Sequence, residues 1–124
     1  MRKTPEPGYR DPYAGDVDAT PVVVITATDD HSVAEAIARG SVDLRLAACA
    51  QVTGPMTSVY RWHGAVESAQ EWRVECKTTM ARVPSLTEYI VEQHAYDLPE
   101  VIVLPIAGGS AAYLDWISTE TSRA

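Results

Sequence analysis

Five side chains able to bind a cation or move a proton fall within the nine residues EQHAYDLPE: Glu92, His94, Tyr96, Asp97 and Glu100. Imidazole titrates near neutrality and is a good ligand for borderline metals. A phenol or carboxylate beside it can act as general acid or base. The stretch therefore reads as a metal site, an acid–base site, or a polar connection between a helix and a strand. For His94 the plain alternative is a helix-terminal imidazole, hydrogen-bonded to the last carbonyls and favoured by the helix dipole. Tyr96 reads equally as a packed aromatic with its hydroxyl satisfied, in a turn ordered by Asp97 and Pro99. Arg73, Glu75 and Lys77 alternate along WRVECKT and would ordinarily form a solvated strand face. His31 and His63 are expected to face solvent, and Trp62, Trp72 and Trp116 to anchor a core or an interface.

The elements around these residues follow from hydrophobic period and turn chemistry. PVVVITAT (21–28) is a β-branched run that predicts a buried strand. DDHS supplies N-cap residues to a helix whose face carries Val33, Ile37, Gly40, Ser41 and Leu44. Gly40 in that face costs roughly 1 kcal/mol against Ala, which points to a close helix–sheet contact. Residues 49–79 predict two long strands folded back at Trp62-His63-Gly64-Ala65, with Gly54-Pro55 making a bulge on an exposed edge. Trp72, Val74, Cys76 and Thr78 point to one face of the second strand, and Arg73, Glu75 and Lys77 to the other. Pro84 opens a second helix with Leu86, Tyr89 and Ile90 buried. VIVLPI (101–106) predicts a last core strand, and Ser110 caps a helix carrying Leu114 and Ile117.

The order βαββαβ plus a terminal helix predicts an α+β, ferredoxin-like subunit, with two helices on one face of a four-stranded antiparallel sheet. The opposite face is then bare. Met56, Tyr60, Trp62 and Trp72 are a poor surface for a soluble monomer, so association through the sheet and its long hairpin is expected.

The 124 residues suit one domain, read as residues 21–120 behind a Pro- and Gly-containing tail (1–20) expected to be disordered. Ten basic and 17 acidic residues give a net charge of −7, which argues against nucleic-acid or anionic-membrane partners. No apolar run is long enough for a transmembrane helix. The first residues lack a signal-peptide core, so a cytoplasmic location is expected, with Cys49 and Cys76 as free thiols. Neither a Gly-rich dinucleotide motif nor a Walker loop is present, and no organic cofactor is expected.

Several blocks, in order, resemble the CutA family: VVVITAT, LRLAACAQV, SVYRWHG, ECKTT, QHAYDLPEVIVLPI and YLDWI. The resemblance implies divalent-cation tolerance and a homotrimer similar in architecture to the PII signalling proteins. The family's proposed copper ligands are a Cys at the end of the first strand and one or two His in an HHPYE-like segment. Here those positions hold Thr26, Gln93 and His94, followed by Ala95, Tyr96 and Asp97. Loss of the thiolate removes the ligand that favours Cu(I). Cys49 belongs to the family's LAAC segment and remains, with His94, a candidate metal residue. The resemblance puts Lys77, in the KT motif, near an inter-subunit cleft together with Glu71, Tyr96 and Asp97. The Lys77–Glu71 pair would lock subunits or orient a ligand.

The resulting expectation is a non-enzymatic homotrimer binding Cu(II), another divalent cation or a small ligand in its inter-subunit clefts. The alternative is a trimer adapted to catalysis, with His94 and Tyr96 as acid or base, Glu71 beside them, and Lys77 stabilising negative charge. A nucleotide-binding, PII-like module is a third and weaker reading.

Overall fold

The computed structural model describes residues 17–122, so most of the tail read from the sequence, with Tyr9 and Tyr13, lies outside the described residues. The first element among the described residues is a 3-10 turn at Val17–Ala19, and the carbonyl of buried Thr20 accepts the Met80 N–H at 2.9 Å. Strands β1 (Pro21–Thr28), β2 (Cys49–Trp62), β3 (Ala65–Thr79) and β4 (Ile102–Pro105) form one sheet in the order β2-β3-β1-β4. Every neighbouring pair is antiparallel. Helices α1 (His31–Asp43) and α2 (Val83–Gln93) cover one face, and α3 (Ala111–Thr121) follows β4. This is the ferredoxin-like α+β arrangement predicted above.

The main core is where the helix faces meet the inward residues of the sheet. Val22 and Val24 of β1, Val74 and Cys76 of β3, Ala34 and Ile37 of α1, and Leu86 and Ile90 of α2 are all buried. Asp30 caps α1: its Oδ1 accepts the N–H groups of Ser32 (2.9 Å) and Val33 (3.3 Å) and the Ser32 hydroxyl (2.6 Å). Those bonds, led by the Ser32 hydroxyl, hold the Asp30 carboxyl below its ordinary pKa.

The hairpin folds back where predicted, through His63 (φ 48°) and Gly64 (φ 81°), a left-handed pair matching strand twist. The β2–β3 register shifts between Thr53 and Met56. At Gly54 (φ 155°) a Cβ would lie 2.8 Å from the Trp72 ring and 2.9 Å from the Glu71 carbonyl. The bulge reverses the alternation of β2. Cys49, Gln51 and Thr53 oppose Lys77, Glu75 and Arg73, whereas Met56, Tyr60 and Trp62 oppose Glu71, Glu67 and Ala65. All of these lie on the face away from α1 and α2.

Five details differ from the sequence reading. Trp72 belongs to the helix-covered face, packed half-buried against the core and stacked on His31 at 5.1 Å. Leu44 lies just past the end of α1 and is exposed. β4 is an edge strand, with Ile102 and Leu104 exposed on the outer face, rather than a core strand. The outer face is not wholly bare, because α3 packs Leu114 and Ile117 against Ala48 and Ile106. Finally, Gly40 faces a helix rather than the sheet: a Cβ there would sit 1.7 Å from the Tyr89 hydroxyl.

Gly40→Ala should therefore lower stability by roughly 1–3 kcal/mol through overpacking, against the ~1 kcal/mol that helix propensity would contribute. In a Tyr89→Ala background the same change should be neutral or stabilising. Thermal unfolding of the four proteins of this double-mutant cycle checks it.

Candidate functional site

β1 ends at Thr28, opposite Trp72, so Glu71 is the first β3 residue without a neighbour on that side. Met56, just past the bulge, covers its other flank. The turn after α2 enters the opening. His94 is the C-cap of α2 and is 9% exposed. Its Nε2 lies 2.7 Å from the Ala27 carbonyl, and its Nδ1 accepts the Tyr96 N–H at 3.2 Å. A carbonyl can only accept, so Nε2 carries the proton and the imidazole is the neutral Nε2–H tautomer. The ring of Tyr96 tilts against that of His94 at 4.6 Å between centroids. Its hydroxyl donates to Glu71 Oε2 at 2.8 Å.

Glu71 is itself only 9% exposed. Burial, then the bond to the Glu71 carboxylate, pushes the Tyr96 phenol well above its ordinary pKa of 10.0. The nearby Asp29 charge acts in the same direction, and the Asp29 N–H partly offsets it. Asp97, the next residue, is exposed. The corner thus combines a buried carboxylate, a phenol held as its donor, and further acidic groups at Asp29 and Asp97. Such a set attracts cations.

The other candidates lie elsewhere in the subunit. Lys77 is six residues along β3 from Glu71, about 20 Å at strand spacing, so one subunit does not pair them. That distance was already readable from two residues on one strand. Lys77 Nζ instead meets the Tyr113 hydroxyl at 3.4 Å and lies 5.5 Å from the centroid of that ring. Cys49 pairs across the ladder with Lys77. Relative to Ala27, which His94 touches, Cys49 is offset by four residues along the strands, about 13 Å. Sequence reasoning missed Asp29, taken only as a capping residue, and Tyr113, whose contact with Lys77 depends on where α3 docks.

The copper or other divalent cation implied by the resemblance does not fit these residues within one subunit. Both His94 nitrogens are engaged, Cys49 is remote, and Thr26 is fully buried with a hydroxyl that has no hydrogen-bond partner. Among the described residues no group of three or more His, Cys, Asp or Glu could hold a metal ion.

The sequence pattern of the CutA1 divalent ion tolerance protein family matches residues 22–120. The chain belongs to the CutA family. A divalent-cation tolerance protein CutA from Thermus thermophilus is 41% identical over 99 residues, covering 80% of this chain and 96% of that protein. A chloroplastic CutA from Arabidopsis thaliana is 38% identical over 100 residues, covering 81% of this chain; the chain spans 55% of that longer protein. A solved CutA from Synechococcus elongatus PCC7942, complexed with a Bis-Tris molecule, superposes with a TM-score of 0.76 at 33% identity. That match covers 82% of this chain and 93% of the other. A solved CutA from Archaeoglobus fulgidus is described as periplasmic and the Arabidopsis relative as chloroplastic; no described helix of this chain is long and apolar enough to cross a membrane.

The site makes alkaline stability a test of the Tyr96–Glu71 bond. Burial also pushes the Cys76 thiol up, from 9.0 to about 11. In both cases the folded pKa is raised, so the unfolded chain ionises first. The stabilisation is complete below the ordinary values and is lost as pH rises through the folded ones. Denaturant midpoints should hold steady up to about pH 9 and then fall. Tyr96→Phe should remove the part of the fall that sets in above pH 10, while costing ~1–3 kcal/mol at neutral pH by leaving Glu71 without its donor. Denaturation curves at stepped pH check both.

Proposed function

We propose that this chain is a non-enzymatic ligand-binding member of the CutA family, working as a cytoplasmic homotrimer. Clefts between its subunits would take a small cationic ligand: a hydrated divalent cation, or a protonated amine bearing hydroxyl groups. One observation carries the reading. Glu71 is a nearly buried carboxylate whose only side-chain partner among the described residues is a neutral phenol. Arg73 pairs with Glu75 at 3.7 Å, and Lys77 is about 20 Å away along the strand. A buried charge without a counter-charge is costly, and a bound cation would supply the compensation. The Bis-Tris molecule bound by the Synechococcus relative, an amine with hydroxyl groups, supports a ligand of this class.

Self-association is supported by apolar surface that one subunit leaves uncovered. On the outer face this comprises Ile102 and Leu104 of β4 and Tyr60 and Trp62 of the hairpin, and Val59 and Val66 lie on the hairpin's other side. Burying a large aromatic contributes roughly 1.5–3 kcal/mol, and threefold symmetry repeats each contact. The catalytic alternative has less support. It needs His94, Tyr96, Glu71 and Lys77 around one substrate, whereas His94 has no free nitrogen, the Tyr96 phenol is a weak acid, and Lys77 lies far along β3.

Calorimetric titration of the full chain with Zn(II), Cu(II), Bis-Tris and a panel of small anions tests the ligand class. Cations should bind at micromolar levels and anions should not. Glu71→Gln should weaken cation binding about 10-fold or more, the loss of a charge-assisted contact. Equal binding by this variant, or no cation binding to an intact assembly, defeats the reading. Trp62→Glu should dissociate or unfold the trimer, and wild-type stability should rise with protein concentration. Light scattering over a wide dilution range checks this, and a compact folded monomer at micromolar concentration would refute it.

A further inference from the structure

We infer that His94 is a positioning residue, a neutral imidazole that extends the sheet where β4 stops, and not a metal ligand. β4 pairs with β1 only from Val22 to Ile25. Two residues further on, the Ala27 carbonyl meets an imidazole donor, Nε2–H of His94, at 2.7 Å. The ring's remaining lone pair, on Nδ1, accepts the Tyr96 N–H at 3.2 Å. One side chain thus ties the end of β1 to the turn after α2. The turn in turn holds the Tyr96 hydroxyl 2.8 Å from Glu71.

The imidazole has no capacity left. A metal ion at Nδ1 would displace the Tyr96 N–H, and one at Nε2 would require loss of its proton and of the Ala27 bond. The first event strands the part-buried Tyr96 N–H and the second the buried Ala27 carbonyl. Nor would a metal gain a second soft ligand nearby. The first-strand position that the family resemblance assigns to a Cys is Thr26, a fully buried hydroxyl, and Cys49 is offset by about 13 Å along the strands. Gln93, at the other His position of that resemblance, is exposed. A metal bound by this protein therefore goes to carboxylates or to the exposed His31 and His63, and His94 acts only on the shape of the corner. The inference does not depend on which ligand the clefts take.

The test is a long-range imidazole 1H–15N spectrum of the 15N-labelled full chain, with and without several-fold excess Zn(II). His94 should show the neutral Nε2–H pattern and stay unshifted by Zn(II), with His31 and His63 as internal controls for surface binding. A Zn(II)-dependent shift of either His94 nitrogen, or an Nδ1–H pattern, overturns the inference without affecting cation binding at Glu71. The positioning role is read in His94→Ala and His94→Gln by the titration of Tyr96, followed through 13C at its ring ζ carbon. Its elevated pKa should move down toward the ordinary tyrosine value in His94→Ala and less in His94→Gln, which keeps a donor for Ala27. An unchanged Tyr96 titration in folded His94→Ala overturns the positioning role. Folded His94→Gln should still bind Zn(II), since Glu71 remains, and abolition of binding in that variant overturns the inference. Should neither variant fold, the wild-type spectrum still decides whether His94 is a ligand.

Discussion

The structure depends on the register of β1 against β3. Pro21 lies opposite Thr79 and Thr28 opposite Trp72, and this eight-residue pairing puts Val22, Val24, Val74 and Cys76 under the two helices together. A slip of one residue would turn the apolar set of one of these strands outward while the other's stayed inward. The same register makes Glu71 the first residue of β3 beyond β1, so the position of the polar corner follows from the packing of the core. Fold and site are therefore set by one constraint.

A second consequence concerns the hairpin. β2 is an edge strand, and the bulge at Gly54-Pro55 changes which of its residues face outward. Without that reversal, Met56, Tyr60 and Trp62 would point to the opposite side of the ribbon from Cys49 and Gln51. With it, the outer face carries apolar side chains along the hairpin, continuing toward exposed Ile102 and Leu104 at the far edge. α3 closes only the part of that face next to Ala48 and Ile106. The remaining apolar surface suits an assembly better than a solitary subunit.

Around Glu71 the chain gathers hydrogen-bond capacity without positive charge. Tyr96 donates to Glu71 and His94 accepts from the Tyr96 backbone, while the cations Lys77 and Arg73 are engaged elsewhere. A phenol donor orients a carboxylate but does not neutralise it. The corner is hydrogen-bonded but electrostatically incomplete, which suits binding a cation better than shuttling a proton.

Much of this was legible in the residues alone. The bounds of β1, the reversal at His63-Gly64, the bulge, the buried faces of α2 and α3, and the order βαββαβ follow from local rules: a period of two or 3.6, turn chemistry, and proline's missing donor. Family membership, too, was readable in the order of the motif blocks. The rest turned on contacts between residues distant in sequence. Gly40 signalled a close approach, but only packing showed that Tyr89, 49 residues on, makes it. EQHAYDLPE announced a polar site, yet which groups join depended on where β1 ends and where β4 stops. Those endpoints give Ala27 to His94 and Glu71 to Tyr96. Residue types determine what chemistry is available; the lengths and register of neighbouring strands decide which lone pairs and charges remain free to perform it.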